Sequence, residues 1–279
     1  MKGGRKMEVI HLSHPVELEI NPKCSCVMAL GFFDGVHIAH QSLINRAAWI
    51  ARTEKLNFSV MTFYPHPRQV VDHLLQPMKY LTPLRIKEQI FSRMGVDQLY
   101  IVQFNENIAT LSSCDFVKEY LIRLQVKHVV AGFDYRYGYR GKGNIETLRR
   151  EGAGFFKVHE VRKLSHKYQK ISSTVIRQLV SEGFVDIVPK YLGKHYEIMG
   201  IKISQNVFYV AEPFLLPKSG VYLTKIDTVD QSFFEFCRIF ESGEIVIINR
   251  PEVAKVHDEV SFHWLKRIES TLPASVGCS

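Results

Sequence analysis

Val27-Met28-Ala29-Leu30-Gly31-Phe32-Phe33-Asp34-Gly35-Val36-His37-Ile38-Ala39-His40 is an apolar run that breaks into an Asp-Gly turn and then sets two histidines three apart. The unbroken apolar part, Val27–Phe33, predicts a strand buried on both faces. Beyond the turn, Gln41–Thr53 carries Leu43, Ile44, Ala47, Ala48 and Ala51 at helical spacing. A buried strand feeding a helix through a tight turn is the opening unit of a parallel α/β sheet. The start of such a helix presents unpaired N–H groups and the positive end of its dipole, which suit phosphate oxygens. Imidazoles at that point can donate hydrogen bonds to a reacting phosphorus centre and a departing pyrophosphate. The plainer reading is a helix entry with two incidental surface histidines. Zinc binding by the same pair lacks an obvious third ligand.

Working outward, Met7–Leu12 predicts a first strand, Phe58–Phe63 another, and Pro65-His66-Pro67 stops it. Pro83–Met94 reads as a helix, Gln98–Val102 as a strand, Ser113–Leu124 as a helix and His128–Phe133 as a strand. Asn144–Glu151 is helical in pattern, Phe156–Val161 extended, and Ser173–Ser181 helical again. This alternation predicts a Rossmann-like parallel sheet with helices on both faces, where ligands bind outside the carboxyl ends of the strands. From Tyr196 the pattern changes to short β-rich stretches: Tyr196–Ile203, Val207–Ala211, Gly220–Ile226, Glu244–Asn249 and Glu259–Leu265. These predict a small antiparallel sheet or barrel. The expected division is therefore 1–190 for the α/β part and 191–279 for the β-rich part.

A chain of 279 residues exceeds the usual single domain, which agrees with that division. Hydrophobic residues at 46% and charged residues at 23% are ordinary for a globular core, and no apolar run reaches the ~20 residues of a membrane span. Met7–Leu12 is interrupted by Glu8 and His11, so no signal peptide is read and the cytoplasm is expected. The five cysteines, with Cys24 and Cys26 close together and Cys114, Cys237 and Cys278 scattered, are read as ordinary reduced residues. A net charge of +8 favours anionic partners: nucleotides, phosphates or nucleic acid. Without a helix-turn-helix, zinc-finger or RNA-binding signature, nucleic acid is the minority reading. No Walker-type Gly-Lys-Ser/Thr and no Gly-x-Gly-x-x-Gly occurs, which argues against a P-loop kinase or an ordinary dinucleotide dehydrogenase.

Three further motifs sit at strand exits or helix entries. Ile171-Ser172-Ser173-Thr174-Val175-Ile176-Arg177 offers hydroxyl caps. With Thr174 as the cap, Arg177 falls in the first turn, where the helix dipole disfavours a cation unless an anion is bound. Gly132-Phe133-Asp134-Tyr135-Arg136-Tyr137-Gly138, continued by Arg140 and Lys142, mixes glycines for close approach, rings for stacking and bases for phosphate. A glycine-punctuated surface hairpin, or a single-stranded nucleic acid contact, would read the same way. Thr62-Phe63-Tyr64-Pro65-His66-Pro67-Arg68 holds His66 between two prolines, so the backbone there is stiff.

In this order the four motifs resemble the bacterial bifunctional riboflavin kinase/FAD synthetase family, and Leu81-Thr82 with Lys87, Gly95-Val96-Asp97 and the Phe116–Leu121 stretch are similar to it as well. The likeness covers roughly residues 7–200. It implies a nucleotidyltransferase domain with magnesium-dependent adenylylation of FMN by ATP. By that resemblance His37, His40 and Arg177 are catalytic. Gly31, Phe32, Asp34, Gly35, Ala39, Asp134, Ser172, Ser173 and Thr174 take ATP. Phe63, His66, Pro67, Arg68, Tyr135 and Tyr137 take FMN. No residue is assigned as a metal ligand, since Mg²⁺ arrives with ATP. Two departures stand out. Ala39 replaces a glycine of the family's His-x-Gly-His, and an added methyl against nucleotide is expected to weaken binding by ~1–3 kcal/mol. After Gly200 the kinase's glycine-rich segment and Pro-Thr-Ala-Asn signature are missing, although Gly220-Val221-Tyr222 resembles the kinase barrel. The expectation is therefore an FMN adenylyltransferase beside a degenerate kinase domain. The alternatives are transfer to another small phosphorylated acceptor, or a non-catalytic paralogue that binds flavin, nucleotide or RNA.

Overall fold

Strand β2 (Cys26–Leu30) has every residue buried because it lies inside a parallel sheet, between β3 (Asn57–Tyr64) and β5 (Val126–Gly132). The structure, a computed structural model, describes residues 6–15, 25–73, 75–249 and 253–268. Its six-stranded sheet runs β1-β4-β3-β2-β5-β6, with β1 at Glu8–Leu12, β4 at Gln98–Gln103 and β6 at Lys157–Val161, all neighbours parallel.

The two-residue period of a strand sends alternate side chains of β2 to opposite faces. Val27 and Ala29 join a core with Leu43, Ile44 and Ala47 of α1 (Ile38–Glu54). Cys26, Met28 and Leu30 join a second core on the other face with Phe116, Tyr120 and Leu148. Helices thus cover both faces, the arrangement that a continuously apolar strand requires. The remaining helices are α2 (Pro67–Val71), α3 (Leu84–Arg93), α4 (Glu106–Ala109), α5 (Ser113–Val117) and α6 (Ile145–Glu151). Strands β2, β3 and β4 step outward in one direction and β5 and β6 in the other, so the order reverses between β2 and β5. A crevice at such a reversal is where open α/β sheets hold ligands.

The second unit takes up the chain again at His166, within the small hairpin of β7 (Ser165–His166) and β8 (Gln169–Lys170), and continues through α7 (Ser173–Glu182) and α8 (Pro189–Leu192). It closes as a six-stranded barrel of β9 (Tyr196–Lys202), β10 (Val207–Tyr209), β11 (Gly220–Asp227), β12 (Ser232–Ile239), β13 (Glu244–Ile247) and β14 (Glu259–Ile268). Its interior is filled by alternate residues, among them Tyr196, Tyr222, Phe262 and Trp264.

Three sequence expectations need correction. The first strand of the motif stops at Leu30 rather than Phe33, because Phe33 takes a left-handed backbone (φ 57°) and starts the turn. The helix expected over Ser113–Leu124 is α5 followed by a π-helical turn, Lys118–Ile122. Strand β12 was not anticipated. Of the two compact units, one comprises Met1–Met78 and Leu84–Ser165, the other Lys79–Pro83 and His166–Ser279. Helix α7 belongs with the barrel because Lys218 N–H donates to Val180 O and Gly183 lies against Arg267 and Tyr222. Cys26, Cys114 and Cys237 are free thiols, while Cys24 and Cys278 lie outside the described residues.

Candidate active site

Beyond β2 the chain turns through Phe33, Gly35 (φ 84°) and Val36 (φ 42°) before entering α1. His37 caps that helix: its Nδ1 accepts the His40 N–H at 3.3 Å. The acceptor role places the ring proton on Nε2. The His37 and His40 rings stack with centroids 3.5 Å apart and planes 15° apart, and His40 meets Phe33 edge-on. His40 Nδ1 is buried and has no hydrogen-bond partner among the described residues. Burial first, then the charges of His37 and Lys87, hold its pKa well below the usual histidine value, so the imidazole is neutral at neutral pH.

Behind this turn sits Lys87 of α3, 1% exposed. Its Nζ donates to Phe32 O at 3.1 Å and stands 4.3 Å from the Phe32 ring centroid. The Thr62 hydroxyl of β3 donates to the same carbonyl at 2.9 Å. Burial pushes the Lys87 pKa down to about 8, against the opposing pull of Asp34 and Glu88. Lysine at this position carries a readable signal: Lys87 and Phe91 lie four apart on one helix face, and Phe91 is wholly buried.

At the end of β3, His66 caps the short α2, its Nδ1 accepting the Arg68 N–H at 3.0 Å, with Pro67 in the first helical position. The His66 ring meets Phe32 edge-on, centroids 4.1 Å apart. Arg68 is exposed and pairs with Asp72 at 2.9 Å. At the end of β5, Tyr135 stacks on Tyr137 with centroids 5.8 Å apart. The buried Tyr137 hydroxyl donates to Glu151 at 2.8 Å, while the Tyr135 hydroxyl is buried without a partner among the described residues. Burial raises both phenol pKa values, so both rings stay neutral. Gly138 (φ 69°) then packs on the backbone of Ser113, where a Cβ would lie 2.8 Å from the Ser113 N and Cα.

These three strand exits enclose one cavity of about 670 Å³, a size suited to a cofactor or nucleotide-like molecule. Gly31, Phe32, His40, Phe63, Pro67, Arg68, Asp134, Tyr135 and Tyr137 all line it. Asp34, Gly35, His37 and His66 sit in the same loops, and Ala39 in the first turn of α1, but they do not form its wall. Phe104 and Phe116 complete the aromatic lining. Phe104 went unnoticed in the sequence although it directly follows β4, a fourth strand exit.

A family model for FAD synthetase matches residues 19–175. The chain belongs to the FAD synthetase family. Among relatives, the bifunctional riboflavin kinase/FMN adenylyltransferase of Listeria monocytogenes is 40% identical over 230 residues, covering 78% of this chain and 73% of that protein. The Bacillus subtilis protein of the same description is 37% identical over 245 residues, covering 84% and 77%. A crystal structure described as a macrolide-efflux protein from Streptococcus pneumoniae superposes with a TM-score of 0.83 at 27% identity, covering 94% of this chain and 100% of that one. The efflux description belongs to that protein; among the described residues here no helix is long and apolar enough to cross a membrane.

The remaining family motif, Ile171–Arg177, lies in the second unit. Ser172, not Thr174, caps α7, its hydroxyl accepting the Val175 N–H at 3.5 Å. Arg177 therefore falls in the second turn, and its guanidinium donates to Lys79 O at 2.6 Å. With Ser172 as the cap, Arg177 lies beyond the first turn of α7, so its charge does not oppose the helix dipole there. Ser173 and Thr174 occupy the first two helical positions of α7. Among the described residues no group of three or more His, Cys, Asp or Glu is placed to hold a metal ion.

Proposed function

We propose that this chain transfers the AMP part of ATP to FMN, giving FAD and pyrophosphate, and that it does not phosphorylate riboflavin. The observation that carries the reading is His40, stacked on His37 at the start of α1 and lining an aromatic cavity in a chain of the FAD synthetase family. An FMN phosphate oxygen attacks the α-phosphorus of ATP, a new P–O bond forms, and the bond to the bridging oxygen breaks to release pyrophosphate. The attacking phosphate is already an anion at neutral pH, so no general base is needed. Positioning and charge stabilisation remain the protein's task. His37 and His40 hold phosphate oxygens and stabilise the charge that develops on them, with Gly31, Phe32, Asp34, Gly35 and Ala39 forming the nucleotide-facing turn. Phe63, Pro67, Arg68, Tyr135 and Tyr137, with His66 behind Phe32, receive the flavin. Asp134 serves the adenosine, and Ser172, Ser173, Thr174 and Arg177 serve the triphosphate. Mg²⁺ enters as part of the nucleotide substrate, holding phosphate and water oxygens and neutralising their charge.

Loss of kinase activity rests on the barrel. No glycine-rich segment or Pro-Thr-Ala-Asn occurs between Ile201 and Pro217, and the barrel interior is packed with Tyr222, Phe262 and Trp264. Three free cysteines accord with a cytoplasmic setting. The test is chromatography of products after flavin-free protein is incubated with Mg-ATP and either FMN or riboflavin. FAD from FMN, and no FMN from riboflavin, is the expected result. Nucleotide binding without any FAD would overturn the enzyme reading, and FMN formed from riboflavin would overturn the loss of the kinase.

A further inference from the structure

We propose that Lys87 is a positioning residue for nucleotidyl transfer, which locks the Phe32 carbonyl inward to set the Gly31–Phe33 turn and places a fixed positive charge behind His40. The kinetic part of this inference rests on the adenylylation reading above. Lys87 is almost wholly buried, a costly place for an ammonium group. Its hydrogen-bond acceptor, Phe32 O, already receives the Thr62 hydroxyl at 2.9 Å, so the fold does not need a lysine to satisfy that carbonyl. A neutral side chain of the same length would pack there without the desolvation cost. What the charge adds lies on the site side. It acts on His40, together with His37, while Asp34 and Glu88 face it from the turn and from α3, and His11 of β1 faces Glu88.

Position follows from peptide geometry. In a planar trans peptide the C=O and the next N–H point in opposite directions. Holding Phe32 O toward Lys87 and Thr62 therefore turns the Phe33 N–H away from the interior. The same ammonium stands against the Phe32 ring, which also meets His66 edge-on at 4.1 Å. One side chain thus bears on the loops after both β2 and β3.

The test compares the full-length parent chain with K87M and K87Q. K87M is expected to resist urea at neutral pH at least as well as the parent, yet to lose at least about 10-fold in kcat, with KM for FMN changed far less. Removing the nearby cation is also expected to raise the midpoint of the His40 imidazole titration followed by NMR, which a purely structural role would leave unmoved. A folded K87M with kcat within about twofold of the parent overturns the proposal. If K87M does not fold, K87Q decides, because it keeps a donor for Phe32 O and removes the charge: kcat and a His40 midpoint both unmoved there overturn the role. If the parent itself makes no FAD, the adenylylation reading fails separately. The His40 midpoint in K87M then decides, and an unmoved midpoint overturns the proposal.

Discussion

Lys87 releases its proton at about 8 in the folded chain, whereas the unfolded chain keeps it until about 10.5. Between those values the unfolded state binds more protons, so this group makes stability rise with pH across that window and imposes its full cost below it. The difference between the two values is worth roughly 3 kcal/mol. Urea unfolding of the parent, referred to K87M to cancel the tyrosines, is therefore expected to gain roughly 2 kcal/mol between about pH 8 and about pH 10. Parallel curves would mean that Lys87 ionises normally. At this scale much of the cavity lining was legible, because histidines, tyrosines and glycines at strand exits announce themselves by residue type and place. Lys87 was not. A lysine within a polar-looking helix reads as solvated, and only its position one turn before the buried Phe91 hints otherwise.

The loop from Gly132 to Gly141 is held as a unit by α5 and α6. Glu151 of α6 accepts from both Ser113 of α5 and Tyr137 of the loop, and Asn144 caps α6 through a reciprocal pair with Thr147. Gly138 lets this assembly close, since its left-handed backbone rests directly on Ser113. G138A combines left-handed strain with overpacking against backbone, and is expected to cost about 2–4 kcal/mol in urea unfolding and to weaken FMN binding by fluorescence titration. Full stability and affinity in G138A would show that the loop is free to shift. The α/β elements were readable because apolar period and breakers agree in nearly every one. Strand β12 escaped because its outward positions are apolar too: Phe234 is 64% exposed and Phe236 37%, so the alternation that marks a half-buried strand is erased. The cap of α7 was misplaced by two residues for a simpler reason. Ser172, Ser173 and Thr174 are equally good caps, and only the backbone decides among them.

On the scale of the whole molecule, neither unit is a single stretch of chain. Lys79–Pro83 belongs with the barrel unit although the residues on either side belong with the sheet. Tyr80 N–H donates to Pro213 O, Leu215 N–H donates to Tyr80 O, both at 2.7 Å, and Tyr80 and Leu81 are 4% and 2% exposed. A chain cut after Leu192 leaves the Tyr80 N–H and carbonyl without those partners. It is expected to lose on the order of 3 kcal/mol and to bind a hydrophobic dye that the full chain does not. Unaltered solubility and stability in the cut chain would show that the barrel is dispensable to the strap. The sequence pattern could not reveal this discontinuity, since five residues directly before α3 carry no period of their own. Its consequence falls on synthesis. Tyr80 leaves the ribosome long before Pro213 and Leu215, and at about 5–20 residues per second the delay is on the order of ten seconds. Through that interval Tyr80 and Leu81 have no strand to join and are open to the wrong partners. Slow codons anywhere in the intervening message lengthen the wait, so synonymous changes that alter no residue would still alter the yield of folded protein.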